Sequence, residues 1–388
     1  MKGTLEPWVL ICGGFHLKGG MDRANAALAT FLASRGHRIH LVAYEVAPSL
    51  TAMEGVTTHI VAKPAGSHFL GDWLLDRRGR VVAREVVADS PHARVVVNGG
   101  NCPWPDINWV HSVHRAWPPC DPQAPAWFKV KNRIDKSIAL RREWAALRSA
   151  KVIIANSERT RRDLVNLLRI SERNIHTLYL GSDCKSPSVA AERRRSARLW
   201  LGKPLSHPLA AFVGAIGYDT NKGIDTLLRA WTTLCSRADW DVDLVVAGGG
   251  RAVPQWKSQI ERTGLLGRVK MLGFTERIAD VLAAADVLVS PVRYEAYGLN
   301  VQEAICCGVP AIVSACAGVA ERYPAQLAGL LLRDPANVGE LVERMRGWRE
   351  SIDAWRESVK PLAYELRSRS WEAMASEFVT LVQNPAVT

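Results

Sequence analysis

The stretch that decides the fold of this chain is PVRYEAYGLNVQEAICCGVP, from Pro291 to Pro310. It follows an apolar, β-branched run, Ala285 to Ser290, which does not alternate with polar residues and therefore predicts a strand buried on both faces of a parallel sheet. The first residues of the stretch are expected to form a loop that ends at Gly298. Apolar residues then recur at helical spacing from Leu299 to Cys307, before glycine and proline stop signals. The stretch therefore predicts a strand, a loop and a helix in succession.

Two glutamates of this stretch are candidate ligand contacts. The loop follows the carboxyl end of a parallel strand, where open α/β sheets bind ligands, and the helix that starts at Leu299 offers free N–H groups to a phosphate. Carboxylates are strong acceptors for hydroxyl groups. We therefore expect Glu295 to bind sugar hydroxyls, Glu303 to reach ribose hydroxyls, and the turn at Gly298 with Leu299 to contact the phosphates of a nucleotide-sugar.

The ordered string resembles the E-x7-E signature of the family 4 retaining glycosyltransferases. Ala296 and Tyr297 replace the small residue and the aromatic residue of the family loop. The positions that match the family pattern are Gly298, Leu299, Glu303, Ala304, Gly308 and Pro310. The resemblance implies an α/β fold of the GT-B type, in which two Rossmann-like domains with doubly wound parallel sheets face each other across a cleft.

Length and composition agree with two soluble domains. The chain has 388 residues, of which 48% are hydrophobic, and its eight cysteines include no C-x-x-C pair. No apolar run approaches the roughly 18 residues that a membrane-spanning helix requires, and no cleavable signal pattern precedes the first strand. We expect a cytoplasmic protein.

The net charge of +12 is concentrated in residues 128–198, which hold 18 Lys and Arg against 7 Asp and Glu. This region is interpreted either as a surface for peripheral contact with the anionic inner face of a membrane or for a charged acceptor, or as a solvated helix face with Arg193, Arg194 and Arg195 in a flexible linker. Nucleic acid is not expected, because no aromatic-rich basic motif accompanies the charge.

The N-terminal half opens with a βαβ pattern: a strand from Trp8 to Cys12, a glycine-rich loop, a helix from Asp22 to Ser34 and a strand from Ile39 to Ala43. The glycines lack the G-x-G-x-x-G spacing, which argues against a dehydrogenase. The family resemblance implies that Gly19 and Gly20 let the backbone approach the phosphate and sugar of the donor.

The next strand, Arg94 to Val97, is followed by NGGNCPWPDINWVHSVHRAW. In the family, a histidine after this strand lies near the transferred sugar; His111 is the first choice here and His114 the second. Trp104 and Trp109 suit stacking on a sugar or aglycone of the acceptor, or packing in the core.

The second half begins with the strand Leu209 to Val213, a loop from Gly214 and a helix from Ile224 to Trp231. Lys222 matches the Lys-Gly of the family, whose ammonium neutralises the donor diphosphate, and Gly214 also belongs to this donor loop. The loop departs from the family pattern in two ways: it is about two residues longer, and it lacks the arginine of the common V-G-R-L. The residue that replaces this arginine is left open.

Two further segments bear on the donor site. Asp241 and Asp243 form a D-x-D pattern. Because they adjoin the strand Asp243 to Ala247, they are interpreted as strand entry, that is, as residues that lead into this strand. Neither a metal nor another cofactor is therefore predicted. The segment Val269 to Phe274 resembles the strand and turn that contact the base, which makes Gly273 and Phe274 candidate donor contacts.

The predicted domains are residues 1–187 on the acceptor side, with a helix at residues 370–384 that packs back on them, and residues 188–369, which bind the nucleotide-sugar. A linker is expected at about Lys185 to His207.

The expected activity is metal-independent, retaining transfer of a hexose from a nucleotide-diphosphate sugar to a small-molecule, glycan or lipid-linked hydroxyl acceptor. A UDP-sugar is favoured, because UDP-hexoses are common in the family. The alternatives are a nucleotide-sugar epimerase of the same fold, a non-catalytic carbohydrate-binding protein and a protein that binds anionic surfaces.

Overall fold

The computed structural model describes residues 5–64, 68–183 and 190–383. The contacts divide the chain into two compact units. Unit 1 consists of residues 1–116, 130–181 and 369–388, and unit 2 of residues 117–129 and 182–368. The predicted domain boundary at residues 187 and 188, the first residues of the predicted linker and the last residue of the predicted terminal helix lie outside the described residues.

In the first half of the chain, single strands or pairs of strands alternate with α-helices. The strands are β1 (Trp8–Ile11), β2 (Gly14–Phe15), β3 (Ile39–Ala43), β4 (Glu45–Val46), β5 (Val56–Ile60), β6 (Arg94–Asn98), β7 (Ile107–Val110), β8 (Val152–Ala155) and β9 (Ile175–Thr177). The helices are α1 (Gly20–Ser34), α2 (Pro48–Thr51), α3 (His68–Asp89), α4 (Ala126–Ser149) and α5 (Glu158–Leu168).

In the described residues of the second half, α-helices and strands alternate up to the last two strands, and four α-helices follow these. Its strands are β10 (Leu209–Val213), β11 (Asp243–Ala247), β12 (Val269–Gly273), β13 (Val287–Ser290), β14 (Ala311–Ser314) and β15 (Leu331–Leu332). Its helices are α6 (Ala190–Leu201), α7 (Ile224–Cys235), α8 (Val253–Arg262), α9 (Ile278–Ala284), α10 (Leu299–Cys306), α11 (Val338–Glu350), α12 (Ile352–Ser358), α13 (Lys360–Ser368) and α14 (Trp371–Gln383).

Unit 1 is built on a seven-stranded sheet with the order β5-β3-β1-β6-β7-β8-β9, and every neighbouring pair is parallel. The central strands are apolar without alternation because helices cover both faces. Val9 and Val95 pack in one core with Leu75 and Val82 of α3. The terminal helix α14 belongs to this unit, where Phe378 packs against Trp109 with ring centroids 4.8 Å apart.

Unit 2 contains a six-stranded sheet with the order β12-β11-β10-β13-β14-β15, also parallel throughout. The chain leaves β10 toward one side of the sheet and returns to the other side at β13, so the strand order reverses at β10. Open α/β sheets bind their ligands at such a switch point, outside the carboxyl ends of the strands. The predicted α/β class with two parallel sheets is confirmed.

The expected flexible linker is corrected by the structure, because most of it is helix α6. Arg198 of this helix is 1% exposed and donates to Asp286, with 2.7 Å between Nη2 and Oδ2. Arg194 also pairs with Asp286. Burial of a guanidinium requires such partners, so these two arginines hold α6 onto unit 2 and are not part of a solvated surface.

Candidate functional site

The carboxyl edge of the unit 2 sheet collects the loops that follow β11, β10 and β13. Val213 and Ala247, the last residues of β10 and β11, lie side by side in register. β13 flanks β10 on the other side, with Ala211 beside Leu288. Loops that leave neighbouring parallel strands at one edge must run close together, which brings the residues of three distant sequence segments to the switch point.

Lys222 and Glu295 meet at this edge. The Lys222 ammonium forms an ion pair with the Glu295 carboxylate, and their side chains are 27% and 20% exposed. Lys222 belongs to the loop after β10 and Glu295 to the loop after β13. The structure therefore brings together the cation and one of the carboxylates predicted for the site.

Gly223 holds Lys222 in this position. It caps α7 in the left-handed conformation, with φ of 64°. A Cβ at this glycine would collide with the carbonyl oxygen of Pro291, the first residue after β13. Only glycine tolerates both the positive φ and the close approach, so the two loops are in backbone contact beside the ion pair.

The Glu295 loop is fixed by main-chain hydrogen bonds to the segment after β14. The N–H of Gly318 donates to the Glu295 carbonyl at 3.1 Å, and the N–H of Val319 donates to the Tyr297 carbonyl at 2.7 Å. The buried Tyr297 hydroxyl also hydrogen-bonds Gln302. The carboxylate of Glu295 consequently projects from a rigid loop rather than a mobile one.

Helix α10 begins at this loop. Gly298 caps it with φ of 112°, and its first turn carries no acidic residue. Asn300 in that turn donates from Nδ2 to the Val213 carbonyl at 2.9 Å, which ties the helix start to the end of β10. The free N–H groups near Leu299 thus lie at the switch point, where they favour an anion. Glu303 follows on the same helix and is partly buried.

Gly214 follows β10 and Gly273 ends β12, the two strands that flank β11 in the sheet. Gly214 donates its N–H to the Ala247 carbonyl at 3.1 Å, and a Cβ placed on it would lie 3.5 Å from the Lys222 stem. Gly273 has φ of 73° and open space on its Cβ side. Phe274 follows it with 73% of its surface exposed. A large exposed aromatic beside open space is suited to stacking on a planar ligand.

The corresponding edge of unit 1 has its own polar cluster. Gly19 caps α1 with φ of 85°, and Gly20 is the first residue of that helix. Asp22 lies 3.8 Å from the His16 imidazole, between the Asp22 Oδ2 and the His16 Nε2 atoms. Burial is the main cause that raises the pKa of Asp22 to about 6, while His16 acts in the opposite direction and Glu45 in the same one.

His111 follows β7 directly. Burial lowers its pKa to about 3, so the imidazole is neutral at physiological pH. Its ring lies 4.5 Å from that of Trp109, and its buried Nε2 atom has no hydrogen-bond partner among the described residues. A neutral, buried and unpaired ring nitrogen is equipped to exchange a hydrogen bond with a ligand hydroxyl.

The other acceptor-side predictions have different outcomes. His114 is fixed by Glu143 of α4, with 2.9 Å between Nδ1 and Oε1. Trp104 is partly buried against the core of unit 1. Trp109 is fully buried between His111 and Phe378, so no ring face is left for an acceptor and its predicted stacking role is corrected to core packing.

Sequence reasoning missed three charged residues near these edges. Glu143 is fully buried and accepts the His114 backbone N–H at 2.8 Å, yet nothing in the helix pattern marked it. Arg293 lies in the decisive stretch itself and forms a bidentate pair with Asp225, at 2.7 and 2.6 Å, which raises its pKa. Arg251 follows the glycine turn after β11.

The D-x-D residues lie at the opposite end of β11 from this edge. Asp243 pairs with Arg268 at 2.9 Å and with Lys203 at 2.5 Å, and Asp241 pairs with Arg349 at 2.6 Å. These partners agree with the interpretation of both aspartates as strand entry. Within residues 5–64, 68–183 and 190–383, no helix is long and apolar enough to span a membrane.

Two family models match this chain. Residues 18–186 match the model described as Glycosyltransferase Family 4, and residues 207–349 match the model described as Glycosyl transferases group 1. The chain belongs to the family 4 glycosyltransferases. The membership predicted from the decisive stretch is thereby confirmed, and the group 1 match contains the whole Lys222 and Glu295 neighbourhood.

A relative of similar sequence extends this comparison. α-D-Kanosaminyltransferase of Streptomyces kanamyceticus is 27% identical over 236 residues, which cover 59% of this chain and 60% of that protein. The chain thus spans about three fifths of that relative.

Two solved structures show the fold. Sucrose-phosphate synthase of Thermosynechococcus elongatus superposes with a TM-score of 0.76 at 19% identity, over 98% of this chain and 99% of that one. HepE of Anabaena, in complex with UDP and glucose, superposes with a TM-score of 0.70 at 16% identity, over 98% and 100% of the two chains. With these neighbours, the GT-B fold expected for this family 4 glycosyltransferase is confirmed.

Proposed function

We propose that this protein is a metal-independent, retaining hexosyltransferase that uses a nucleotide-diphosphate sugar, most simply a UDP-sugar from the cytoplasm. The observation that carries the proposal is the pairing of Lys222 with Glu295 at the switch point, beside the start of α10. A cation and a helix N-terminus suit a diphosphate, and a carboxylate suits the hydroxyls of a sugar.

In the proposed reaction, the bond between the anomeric carbon and the diphosphate oxygen breaks, and the acceptor oxygen bonds to the same carbon on the same face. The acceptor proton passes to an oxygen of the departing diphosphate. Negative charge grows on the diphosphate in the transition state, where Lys222 and the N–H groups near Leu299 stabilise it. Glu295 and the neutral His111 hold the sugar, so the protein contributes positioning and electrostatics.

The exposed Phe274 and the open side of Gly273 support a base-binding role at the end of β12, and Glu303 would take the ribose. UDP is favoured because a structural neighbour, HepE, was solved with UDP and glucose. The acceptor is proposed to be a hydroxyl of a small molecule, a glycan or a lipid-linked glycan. Gly19 and Gly20 of unit 1 would contact the donor through their backbone.

Peripheral membrane contact is proposed only for α4, since Arg194 and Arg198 are committed to Asp286. Trp127 and Val130 of this helix are 54% and 62% exposed, next to exposed lysines. A helix that combines exposed apolar and basic side chains suits an anionic lipid surface. Sedimentation with vesicles of phosphatidylserine and phosphatidylcholine tests this; retention equal to that on pure phosphatidylcholine contradicts it.

The experiment for the activity is a screen for nucleotide release from UDP-, GDP- and ADP-sugars, with and without a panel of hydroxyl acceptors, analysed by mass spectrometry. We expect release that depends on acceptor, persists in EDTA and is fastest with a UDP-sugar. No release and no binding with any donor would refute the enzyme assignment. Isomerised donor without an acceptor would instead identify an epimerase, and donor binding without release a non-catalytic protein.

A further inference from the structure

A segment from the first half of the sequence is built into unit 2. Residues Trp117–Lys129, here called the strap, belong to that unit. Cys120 forms an isolated antiparallel bridge with Asp219, and the Asp121 N–H donates to the Tyr218 carbonyl at 2.9 Å. The loop after β10 is therefore bound by the strap through its main chain.

The part of the loop that receives the strap is also the part that departs from the family pattern. Tyr218 packs against Phe128 of the strap with ring centroids 5.1 Å apart. The Thr220 hydroxyl donates to the Pro119 carbonyl at 2.9 Å. The strap thus contacts the part of the loop between Gly214 and Lys222, and residues 214–221 include no basic side chain.

The turn after β11 lies directly against this loop. The Ile216 N–H donates to the Gly249 carbonyl at 2.8 Å, and the Ala252 N–H donates to the Ile216 carbonyl at 3.1 Å. A Cβ on Gly250 would collide with the Ile216 carbonyl, so this contact requires glycine. Arg251 lies in this turn, so its backbone stands beside the loop after β10.

The charges around the loop distinguish Arg251 from its neighbours. Lys222 forms an ion pair with Glu295, and the guanidinium of Arg293 forms an ion pair with Asp225. The exposed guanidinium of Arg251 has no carboxylate partner among the residues that the structure describes. It lies instead over the ring of Trp127, a residue of the strap, at 5.6 Å from the centroid.

We propose that Arg251 is the second cation for the donor diphosphate, and that Trp127 of the strap is its resting place when no donor is bound. The proposal deepens the donor site and rests on the proposed function. Guanidinium suits it chemically, because its planar fork binds phosphate oxygens in pairs and stacks on an aromatic face in their absence. Exchange of Trp127 for phosphate replaces a weak contact by a charge-assisted one.

The test measures the affinity for UDP and UMP by calorimetry in the full chain. Arg251→Ala is expected to weaken UDP binding by about tenfold or more and UMP binding by less, because the lost partner is mainly the second phosphate. Arg251→Lys should recover part of the loss. Arg262→Ala, at an exposed arginine on α8, is the matched control and should leave both affinities unchanged.

A second variant tests the resting contact. Trp127→Ala is expected to strengthen UDP binding about two- to fivefold, since an exposed cation–π contact of the usual size no longer competes. A loss of UDP affinity in this variant would overturn the resting contact. Circular dichroism and thermal melting should show both variants folded, because both side chains are exposed.

The outcomes separate the inference from the function on which it rests. UDP binding that Lys222→Ala weakens but Arg251→Ala leaves at the level of Arg262→Ala would overturn the role of Arg251 and leave the donor site standing. Equal losses for UDP and UMP in Arg251→Ala would also overturn it. A wild-type chain that binds none of UDP, GDP and ADP would refute the proposed function itself.

Discussion

Lys222 and Glu295 form an ion pair that joins the loop after β10 to the loop after β13. The two side chains are partly exposed, and each is held by the other in this ion pair. In the proposed function, the diphosphate pairs with Lys222 and the sugar with Glu295, so we expect donor binding to separate the two side chains. The predictions for Lys222 and Glu295 follow from this expectation.

Lys222→Ala should reduce turnover about a hundredfold, in line with the loss of one charge-stabilising group in a transition state. The cause is the uncompensated negative charge on the leaving diphosphate. Nucleotide release under saturating donor measures the effect. Lys222→Arg should retain part of the rate, and Lys257→Ala, at an exposed lysine of α8, should behave as wild type. A wild-type rate in Lys222→Ala would remove the lysine from the mechanism.

Glu295→Gln should separate turnover from product affinity. The neutral amide still accepts hydrogen bonds but binds sugar hydroxyls less strongly, so turnover should fall about tenfold or more. UDP should bind at least as tightly as to wild type, because Lys222 is no longer held by a carboxylate. Measurement of kcat gives the effect on turnover, and the dissociation constant of UDP gives the effect on product affinity. Glu261→Gln on α8 serves as the control, and weaker UDP binding in Glu295→Gln would contradict this account.

His111 should remain neutral throughout the physiological range, because burial lowers its pKa to about 3. Its NMR ring signals should therefore show no titration between about pH 5 and 8. His111→Ala should lower turnover, and the pH dependence of the residual activity should keep the wild-type shape. A His111 titration near pH 6.5, or a limb of the rate profile that disappears with the substitution, would contradict the assignment.

Apolar runs in the sequence predicted several strands of the two parallel sheets. β3, β10 and β11 have the predicted bounds because apolar runs between turn signals leave little choice. β7 was missed, since Ile107–Val110 is short and lies within a run of Asn, Pro and Trp that reads as loop. Helix α6 was missed because serine, proline and arginine suggested a linker, whereas Arg198 is buried by an aspartate far away in the sequence.

The sequence predicted site residues that a local motif identifies. It did not predict contacts between residues from distant segments. Lys222 and Glu295 were identified separately, but their pairing depends on the sheet order, which places β10 beside β13. The same holds for Arg251 and Trp127, whose contact joins distant segments. Trp109 could not be told from a surface tryptophan, because its burial depends on the terminal helix.

Gly223→Ala should destabilise the protein by about 2 to 3 kcal/mol, since the new Cβ meets the Pro291 carbonyl oxygen and the residue must keep a positive φ. Gly347→Ala is the matched control. Gly347 is an exposed glycine of α11 with open space at its Cβ side, so alanine should stabilise the helix by up to about 1 kcal/mol. Denaturant unfolding measures both, and equal effects of the two substitutions would contradict the proposed backbone contact.

Asp22→Asn should stabilise the protein at neutral pH but not at acid pH. Burial raises the folded pKa of Asp22 from 3.8 to about 6, so the folded state prefers the protonated acid. The stabilisation of the folded state by the raised pKa of Asp22 is complete below about pH 4, and it is lost as the pH rises through 6. The asparagine side chain cannot ionise, so the variant does not lose this stability as the pH rises. Its free energy of unfolding should exceed that of wild type by about 1 to 2 kcal/mol at pH 8, and the difference should vanish near pH 4. Unfolding at both pH values decides this, and a pH-independent difference would contradict it.

The strap and the terminal helix have a consequence for biosynthesis. Unit 2 needs residues 117–129, which leave the ribosome long before β10, and unit 1 needs α14, which is translated after the elements of unit 2. Proteins usually fold domain by domain from the N-terminus during synthesis. Here neither unit holds its full set of elements until the other half has been translated. A nascent chain that ends before residue 369 should therefore carry an exposed apolar gap where Phe378 belongs, and a fragment that starts after residue 187 should lack the aromatic contact of Tyr218.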